Sequence, residues 1–293
     1  MAAYDVVIVG NGPAGLSAAL YTSRANLSTL VIGKDQGALA KAERIENYFG
    51  MAEPVSGCEL VENTKVQARN LGAELVTDEI FHISWNSKGF VLEGREGNYE
   101  ALSVLLATGS SRKKADVKGL TELEGHGVSY CAVCDAFFYR GRKVGVLGNG
   151  EYAVHELLQL LPVAGSAALL TNGHQMETDV PEGVPVIEKK LLSVEGEELV
   201  TGVTFEDGSS MELDGLFVAL GSAGSADLAL KVGAVTDGRN IRTDEQMATN
   251  VPGLYAAGDC TGGLLQISTA VGEGAKAAMS MIKFVRQQKK AGV

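Results

Sequence analysis

The chain has 293 residues, with 25 Lys plus Arg against 36 Asp plus Glu for a formal net charge of −11, and it is 45% hydrophobic and 21% charged. That composition excludes a disordered chain, and at roughly 100 to 200 residues per domain the length predicts two domains. The acidic balance argues against a nucleic-acid binder, which needs a basic face for phosphate, and the 4 cysteines are too few for a disulfide scaffold.

The N-terminus passes from Met1 to the apolar run Val6, Val7, Ile8, Val9 with no basic leader or small-residue cleavage site, and no apolar stretch reaches membrane-spanning length. A soluble cytoplasmic protein with no membrane partner is expected. A strand is predicted at 6–9, entering Gly10-Asn11-Gly12-Pro13-Ala14-Gly15, then a helix at 16–23 and a strand at 29–32. Short alternating strands are predicted at 75–77, 81–85 and 89–93, and a buried strand at 104–107 runs into Thr108-Gly109. The plan then recurs. A strand at 144–147 enters Gly148-Asn149-Gly150-Glu151-Tyr152-Ala153, a helix runs to about Leu161, and a strand covers 167–170. Alternating strands at 203–205 and 209–213 precede a buried strand at 216–220 ending in Gly221. This order predicts an α/β protein of two Rossmann-like, three-layer dinucleotide-binding domains arisen by internal duplication.

In the first glycine loop, Gly10 permits the tight turn, Gly12 lets the backbone approach a pyrophosphate, and Gly15 lets helix and strand pack closely. A third motif, Ala256-Ala257-Gly258-Asp259, follows Thr249-Asn250-Val251-Pro252-Gly253-Leu254-Tyr255. Together with Thr108-Gly109 these segments resemble the flavoproteins with two dinucleotide-binding domains. The resemblance implies FAD held by Gly10, Gly12, Pro13, Ala14, Gly15, Thr108, Gly109, Gly258 and Asp259, with Asp259 on the ribityl chain. It places Gln266 and Ile267 at the flavin ring, where a helix is expected to begin near Ser268.

Between the repeats stands Cys131-Ala132-Val133-Cys134-Asp135. Two sulfurs at this spacing can close a small, reducible disulfide. Zinc would need a second pair of Cys or His, but Cys58 and Cys260 are isolated, and His82, His126, His155 and His174 form no paired motif. No metal is expected, and Cys58 and Cys260 read as inert thiols. A Cys-x-x-Cys-Asp just before the second glycine loop resembles the low-molecular-weight thioredoxin reductases over essentially the whole chain. Ile45-Glu46-Asn47-Tyr48-Phe49-Gly50 shares that resemblance and implies Asn47 near the flavin ring. Gly33, Lys34, Asp35, Gly37, Ala38 and Leu39 align with the loop that wraps FAD, with Gly33 where the family carries a glutamate. The resemblance also implies a homodimer, electron entry at Cys134, attack on thioredoxin by Cys131, and proton transfer by Asp135.

The second glycine loop departs from that family. The strand after it ends Thr171-Asn172-Gly173-His174-Gln175-Met176, with neither an arginine cluster for a 2'-phosphate nor an acidic residue for a free ribose. Glu151 and Tyr152 crowd the loop, Gly221-Ser222-Ala223-Gly224-Ser225 lacks the family's Pro and Asn, and Leu265 replaces an arginine. The nicotinamide site is therefore expected to have decayed, a combination that resembles the ferredoxin-dependent flavin thioredoxin reductases. Ferredoxin is the expected electron donor and thioredoxin the expected substrate. The alternatives are an NAD(P)H-dependent reductase with an atypical nucleotide site and a non-catalytic flavin-binding redox sensor. Docking cations are sought among Arg112, Lys113, Lys114, Arg140, Arg142 and Lys143. The FAD domain is expected at 1–112 plus 244–293, discontinuous around a disulfide domain at 113–243.

Overall fold

A computed structural model describes residues 2–109, 115–237 and 240–291. It divides into two compact units, Met1–Ser111 with Gly224–Val293 and Arg112–Ala223.

The first unit starts with β1 (Ala2–Val9), crosses by α1 (Pro13–Arg24) to β2 (Thr29–Gly33), and by α2 (Gly57–Asn70) to β3 (Glu74–Thr77). The meander β4 (Ile80–Asn86), β5 (Gly89–Gly94) and β6 (Asn98–Leu106) follows, and the sheet order is β3-β2-β1-β6-β5-β4. Val6, Val7, Ile8 and Val9 are all buried, as a central parallel strand covered on both faces requires. The parallel register sets Val9 beside Ile32 on one side and Leu106 on the other, so the loops leaving β1, β2 and β6 emerge at one edge.

The second unit repeats the motif. It comprises β7 (Val128–Ser129), α3 (Ala132–Asp135), β8 (Lys143–Leu147), α4 (Glu151–Leu160), β9 (Ser166–Leu170) and β10 (Val186–Ile187). An antiparallel trio of β11 (Leu191–Glu195), β12 (Gly202–Phe205) and β13 (Ser210–Glu212) precedes β14 (Gly215–Val218). The parallel sheet runs β10-β9-β8-β14-β7.

The chain then re-enters the first unit through α5 (Ser225–Lys231), the short pair β15 (Thr236–Asp237) and β16 (Asn240–Ile241), β17 (Leu254–Ala256) and α6 (Ile267–Ala291). β17 takes the edge of β6 that β5 leaves open: β5 pairs residues 98–101 and β17 pairs residues 104–106. Against α1 the long α6 packs closely enough that a Cβ on Gly274 would stand 2.1 Å from the Ala14 carbonyl oxygen.

The duplication is visible in equivalent hydrogen bonds. Gly10 N–H donates to Ile32 O at 2.7 Å, and Gly148 N–H to Leu170 O at 3.0 Å. Ala107 N–H reaches Val9 O, and Ala219 N–H reaches Leu147 O, both at 2.8 Å. The mixed α/β, Rossmann-like architecture is as the sequence predicts, with differences of detail. β1 begins at Ala2 because Ala2 and Ala3 pair with Tyr99 and Glu100 of β6. α2, α3, α5, β7, β10, β11 and the β15–β16 pair were not anticipated; Ser56 caps α2 by accepting the Glu59 N–H at 3.1 Å. The return crossing falls at 223/224 rather than 243/244, because Asn250 ties residues 233 and 235 to the first unit by hydrogen bonds to Gly233 O and Val235 N–H.

Candidate active site

At the carboxyl edge of the first sheet, β1, β2, β6 and β17 end side by side. Gly10 has φ +119°, and a Cβ there would lie 2.2 Å from Ala107 O; one on Gly15 would lie 1.9 Å from Gly10 O. Around Gly12 a Cβ would meet nothing within 4 Å. No side chain caps α1, its first turn holds no acidic residue, and Pro13 occupies its first position. This open, uncapped and uncharged helix start fits an anionic dinucleotide phosphate. Gly33 is small for a local reason: a Cβ would stand 2.1 Å from Asn11 Nδ2, which donates to Asp35 O at 2.8 Å.

The other predicted FAD contacts fall as follows. Asp35 Oδ1 accepts the Gly37 N–H at 2.6 Å, and Lys34 Nζ pairs with the buried Glu79 at 2.9 Å. Ala38 and Leu39 lie in a 3₁₀ turn, Ala38–Lys41. Asn47 Nδ2 donates to Gln266 Oε1 at 3.2 Å, joining residues 219 apart at the start of α6, where Ile267 is the first helical residue. Thr108 N–H and hydroxyl both meet Ser225 Oγ, at 3.1 and 2.6 Å, and Gly109 turns with φ +79°. Gly258, with φ +82°, donates its N–H to Glu273 Oε2 at 2.7 Å, and Asp259 opens the following 3₁₀ turn. Glu273 was not singled out in the sequence and belongs to no short motif, and Ser225 was read only as the end of the Gly221–Ser225 segment, not as a partner of Thr108.

In the second unit Cys131 and Cys134 form a disulfide with Cα atoms 5.3 Å apart. Cys131 is 4% exposed whereas Cys134 lies open. Cys131 Sγ accepts the Cys134 N–H at 3.2 Å. Ser129 Oγ accepts the Cys131 N–H at 3.1 Å and donates to Asp135 Oδ2 at 2.7 Å, which fixes the carboxylate beside the pair. Glu156, 1% exposed, reaches across from α4 to accept the Ala132 N–H at 2.7 Å. Its signal was a carboxylate on the apolar face of a helix, among Tyr152, Ala153, Leu157 and Leu160. After α3, Tyr139 turns inward against Phe217 and lies over Gly215, where a Cβ would be 2.2 Å from its ring, while Phe137 and Phe138 are each 71% exposed. Burial first, then the nearby Asp135, raises the Tyr139 pKa.

The second glycine loop differs from the first at its mouth. Asn149 Nδ2 binds Gln175 O at 3.0 Å, as Asn11 binds Asp35, but also Glu177 Oε1 at 3.2 Å. Glu177 N–H returns to Asn149 O at 2.8 Å, and a Cβ on Gly150 would stand 3.6 Å from Glu177 Oε2. Glu151 adds a carboxylate to the first turn of α4, and the Tyr152 ring is 2% exposed, packed inside the unit. His174 sits in an exposed turn closed by its N–H to Thr171 O.

Among the docking candidates, Arg112, Lys113 and Lys114 lie outside the described residues. Arg142 is 3.9 Å from Asp214 and Lys143 is 3.1 Å from Glu212, so their charge is locally matched. Arg140 stacks over the Phe137 ring at 5.5 Å. Burial pushes the Cys260 thiol up to about 12. At pH 8 only about one ten-thousandth of it is thiolate. Alkylation of the native protein followed by mass mapping should leave Cys260 unmodified until denaturant is added. Among the described residues no group of three or more His, Cys, Asp or Glu could hold a metal ion, and no helix is long and apolar enough to cross a membrane.

The profile of the pyridine nucleotide-disulphide oxidoreductase family matches residues 4–274. A thioredoxin reductase of Aquifex aeolicus is 34% identical over 309 residues, covering 98% of this chain and 95% of the relative. Among solved structures, the atypical thioredoxin reductase TRi of Desulfovibrio vulgaris Hildenborough superposes with a TM-score of 0.91 at 42% identity, covering 96% of this chain and 98% of that one. A ferredoxin-flavin thioredoxin reductase of Clostridium acetobutylicum gives 0.72 at 32% identity, covering 98% and 99%.

Proposed function

This chain belongs to the pyridine nucleotide-disulphide oxidoreductase family, whose thioredoxin reductases are FAD-binding flavoproteins, and we propose that it reduces thioredoxin through Cys131–Cys134 with electrons from reduced ferredoxin rather than NADPH. The single observation that carries the donor assignment is the Glu177 carboxylate at the mouth of the second glycine loop. A nucleotide pyrophosphate there would face the Glu151 and Glu177 charges, with no cation supplied by residues 171–176. At the first loop the same helix position is open and carries no acid. Like charges a few ångströms apart disfavour binding strongly once water is displaced.

FAD, when bound, supplies a carrier that exchanges electrons singly or in pairs, which suits a one-electron donor. Gly10, Gly12, Ala14 and Gly15 would hold its phosphates, and Asn47 and Gln266 its ring end. The protein's own groups then do the disulfide chemistry. Cys131–Cys134 takes up two electrons and two protons and opens to a dithiol. Cys134, the exposed sulfur, is the electron entry point, and Asp135, held by Ser129, moves the proton. Cys131, buried in the structure, must be uncovered before its thiolate attacks the partner disulfide. One thioredoxin sulfur then leaves as thiolate, and Cys134 resolves the mixed disulfide, restoring the internal bond and releasing reduced thioredoxin.

Phe137 and Phe138 offer an exposed apolar patch beside the pair, suited to a protein substrate. Arg140 is the cation of that patch, so Arg140→Glu should lower the rate with thioredoxin several-fold at low salt and little at high salt. Equal loss at both would remove charge from the docking. For the nucleotide site, equilibrium titration should give no saturable NADPH binding below about 1 mM; micromolar binding would overturn the donor assignment.

A further inference from the structure

We propose that the outward face of α6 is the docking surface for the electron donor, an acidic one-electron carrier protein of the ferredoxin kind. From Gly274 to Ala291 this helix carries Lys276, Lys283, Arg286, Lys289 and Lys290 and no acid, in a chain of net charge −11. With 3.6 residues per turn, Lys276, Met279, Lys283, Arg286 and Lys290 fall within about 80° of one another and span about 21 Å. All five are exposed, while the opposite side of the helix, at Gly274, Ala277, Ala278, Met281 and Val285, is buried. Met279, Ile282, Lys283, Arg286, Gln287 and Lys290 line one groove along this face.

Lys276, Lys283, Arg286 and Lys290 form no ion pair with any acid among the described residues, whereas Lys289, on another side of the helix, pairs with Asp5 at 2.7 Å. α1, which packs against α6, carries no acid, and the Glu273 carboxylate is taken by the Gly258 N–H. Glu245 adjoins Gln246, whose carbonyl oxygen accepts the Ser280 hydroxyl at 3.0 Å, yet it makes no ion pair with the stripe. The helix dipole favours cations in the last turn only, and Lys276 and Lys283 lie two turns or more before the helix ends. A row of unmatched cations on a rigid helix attracts an acidic protein surface over about a Debye length and speeds its capture. Met279, 59% exposed, is the stripe's one apolar side chain, too little to insert into a membrane. α6 begins at Ile267, beside Gln266 at the ring end of the proposed cofactor site, so a carrier held on this helix is gathered onto the unit that takes its electrons. In the proposed reaction thioredoxin meets the Cys131–Cys134 pair, which lies in the other unit. This deepens the donor assignment and rests on it.

The test compares the FAD-loaded wild type with the triple variant Lys283→Glu, Arg286→Glu and Lys290→Glu. Calorimetric titration with an oxidised acidic ferredoxin reads docking without electron transfer. Anaerobic mixing with the reduced ferredoxin reads flavin bleaching, two ferredoxins giving one electron each and solvent supplying the protons. At about 20 mM salt the variant should bind at least about tenfold more weakly and bleach at least about tenfold more slowly, and at about 500 mM salt the two proteins should agree within about twofold. Lys283→Gln, Arg286→Gln and Lys290→Gln together should fall between them. Single-turnover reduction of thioredoxin by the prereduced proteins should agree within about twofold at both salt levels. Unchanged ferredoxin binding and bleaching in the glutamate variant overturns the proposal and leaves the donor assignment standing. An equal loss with thioredoxin overturns it by giving the face to that partner, and wild-type binding to phosphatidylglycerol vesicles but not to ferredoxin overturns it by giving the face to a membrane. A ferredoxin that neither binds nor bleaches the wild type overturns the donor assignment and the docking together.

Discussion

Replacing Cys134 by serine should lower thioredoxin reduction by at least about a thousandfold while leaving the FAD content of the purified protein unchanged. Cys134 is the open member of the pair, and in the proposed mechanism its sulfur is needed twice: to accept electrons in the disulfide and to expel reduced thioredoxin from the mixed disulfide. A serine hydroxyl does neither. The remaining Cys131 thiol should form a stable mixed disulfide with thioredoxin, visible as a covalent adduct on a non-reducing gel. FAD content should not change, because Cys131 and Cys134 lie in Arg112–Ala223 whereas the glycine cradle lies in the other unit. A variant retaining more than about a tenth of wild-type turnover would contradict the assignment.

Gly10→Ala should have the next largest effect. At φ +119° an added Cβ would lie 2.2 Å from Ala107 O and 2.4 Å from its carbonyl carbon, both backbone atoms, so no side chain can move aside. Either β1 and β6 separate at their carboxyl ends or the turn into α1 is rebuilt, and each displaces the phosphate cradle. A loss of about 3 kcal/mol or more in stability is expected. It should be read as a lower denaturant midpoint together with loss of yellow colour. Near-normal FAD content in this variant would show that the cradle does not hold the cofactor.

Much of this arrangement was legible in the sequence because backbone-limited motifs are local. Gly10 and Gly148 mark turns where a Cβ would strike the backbone at the end of the neighbouring strand, Gly15 marks a close approach of α1 to the loop, and Cys131 and Cys134 sit one helical turn apart. What was missed are long-range contacts, which no local pattern announces. Ser225 meets Thr108 across 117 positions, Glu273 meets Gly258 across 15, and Glu156 meets Ala132 across 24. The crossing at 223/224 was misplaced for a related reason: the Asn250 bonds that bind residues 233 and 235 to the first unit cannot be read from composition. Loss of cations after the second glycine loop was readable. The carboxylate of Glu177 folding back onto Asn149 was not, because it depends on the path of the turn at 172–177.

The most direct test of the account is an anaerobic titration of the oxidised FAD-loaded protein with NADPH, NADH and reduced ferredoxin in parallel, followed by flavin absorbance. Stoichiometric bleaching by reduced ferredoxin, with the spectrum unchanged by either nicotinamide nucleotide, is the predicted result. Rapid bleaching by NADPH at micromolar concentration would contradict it.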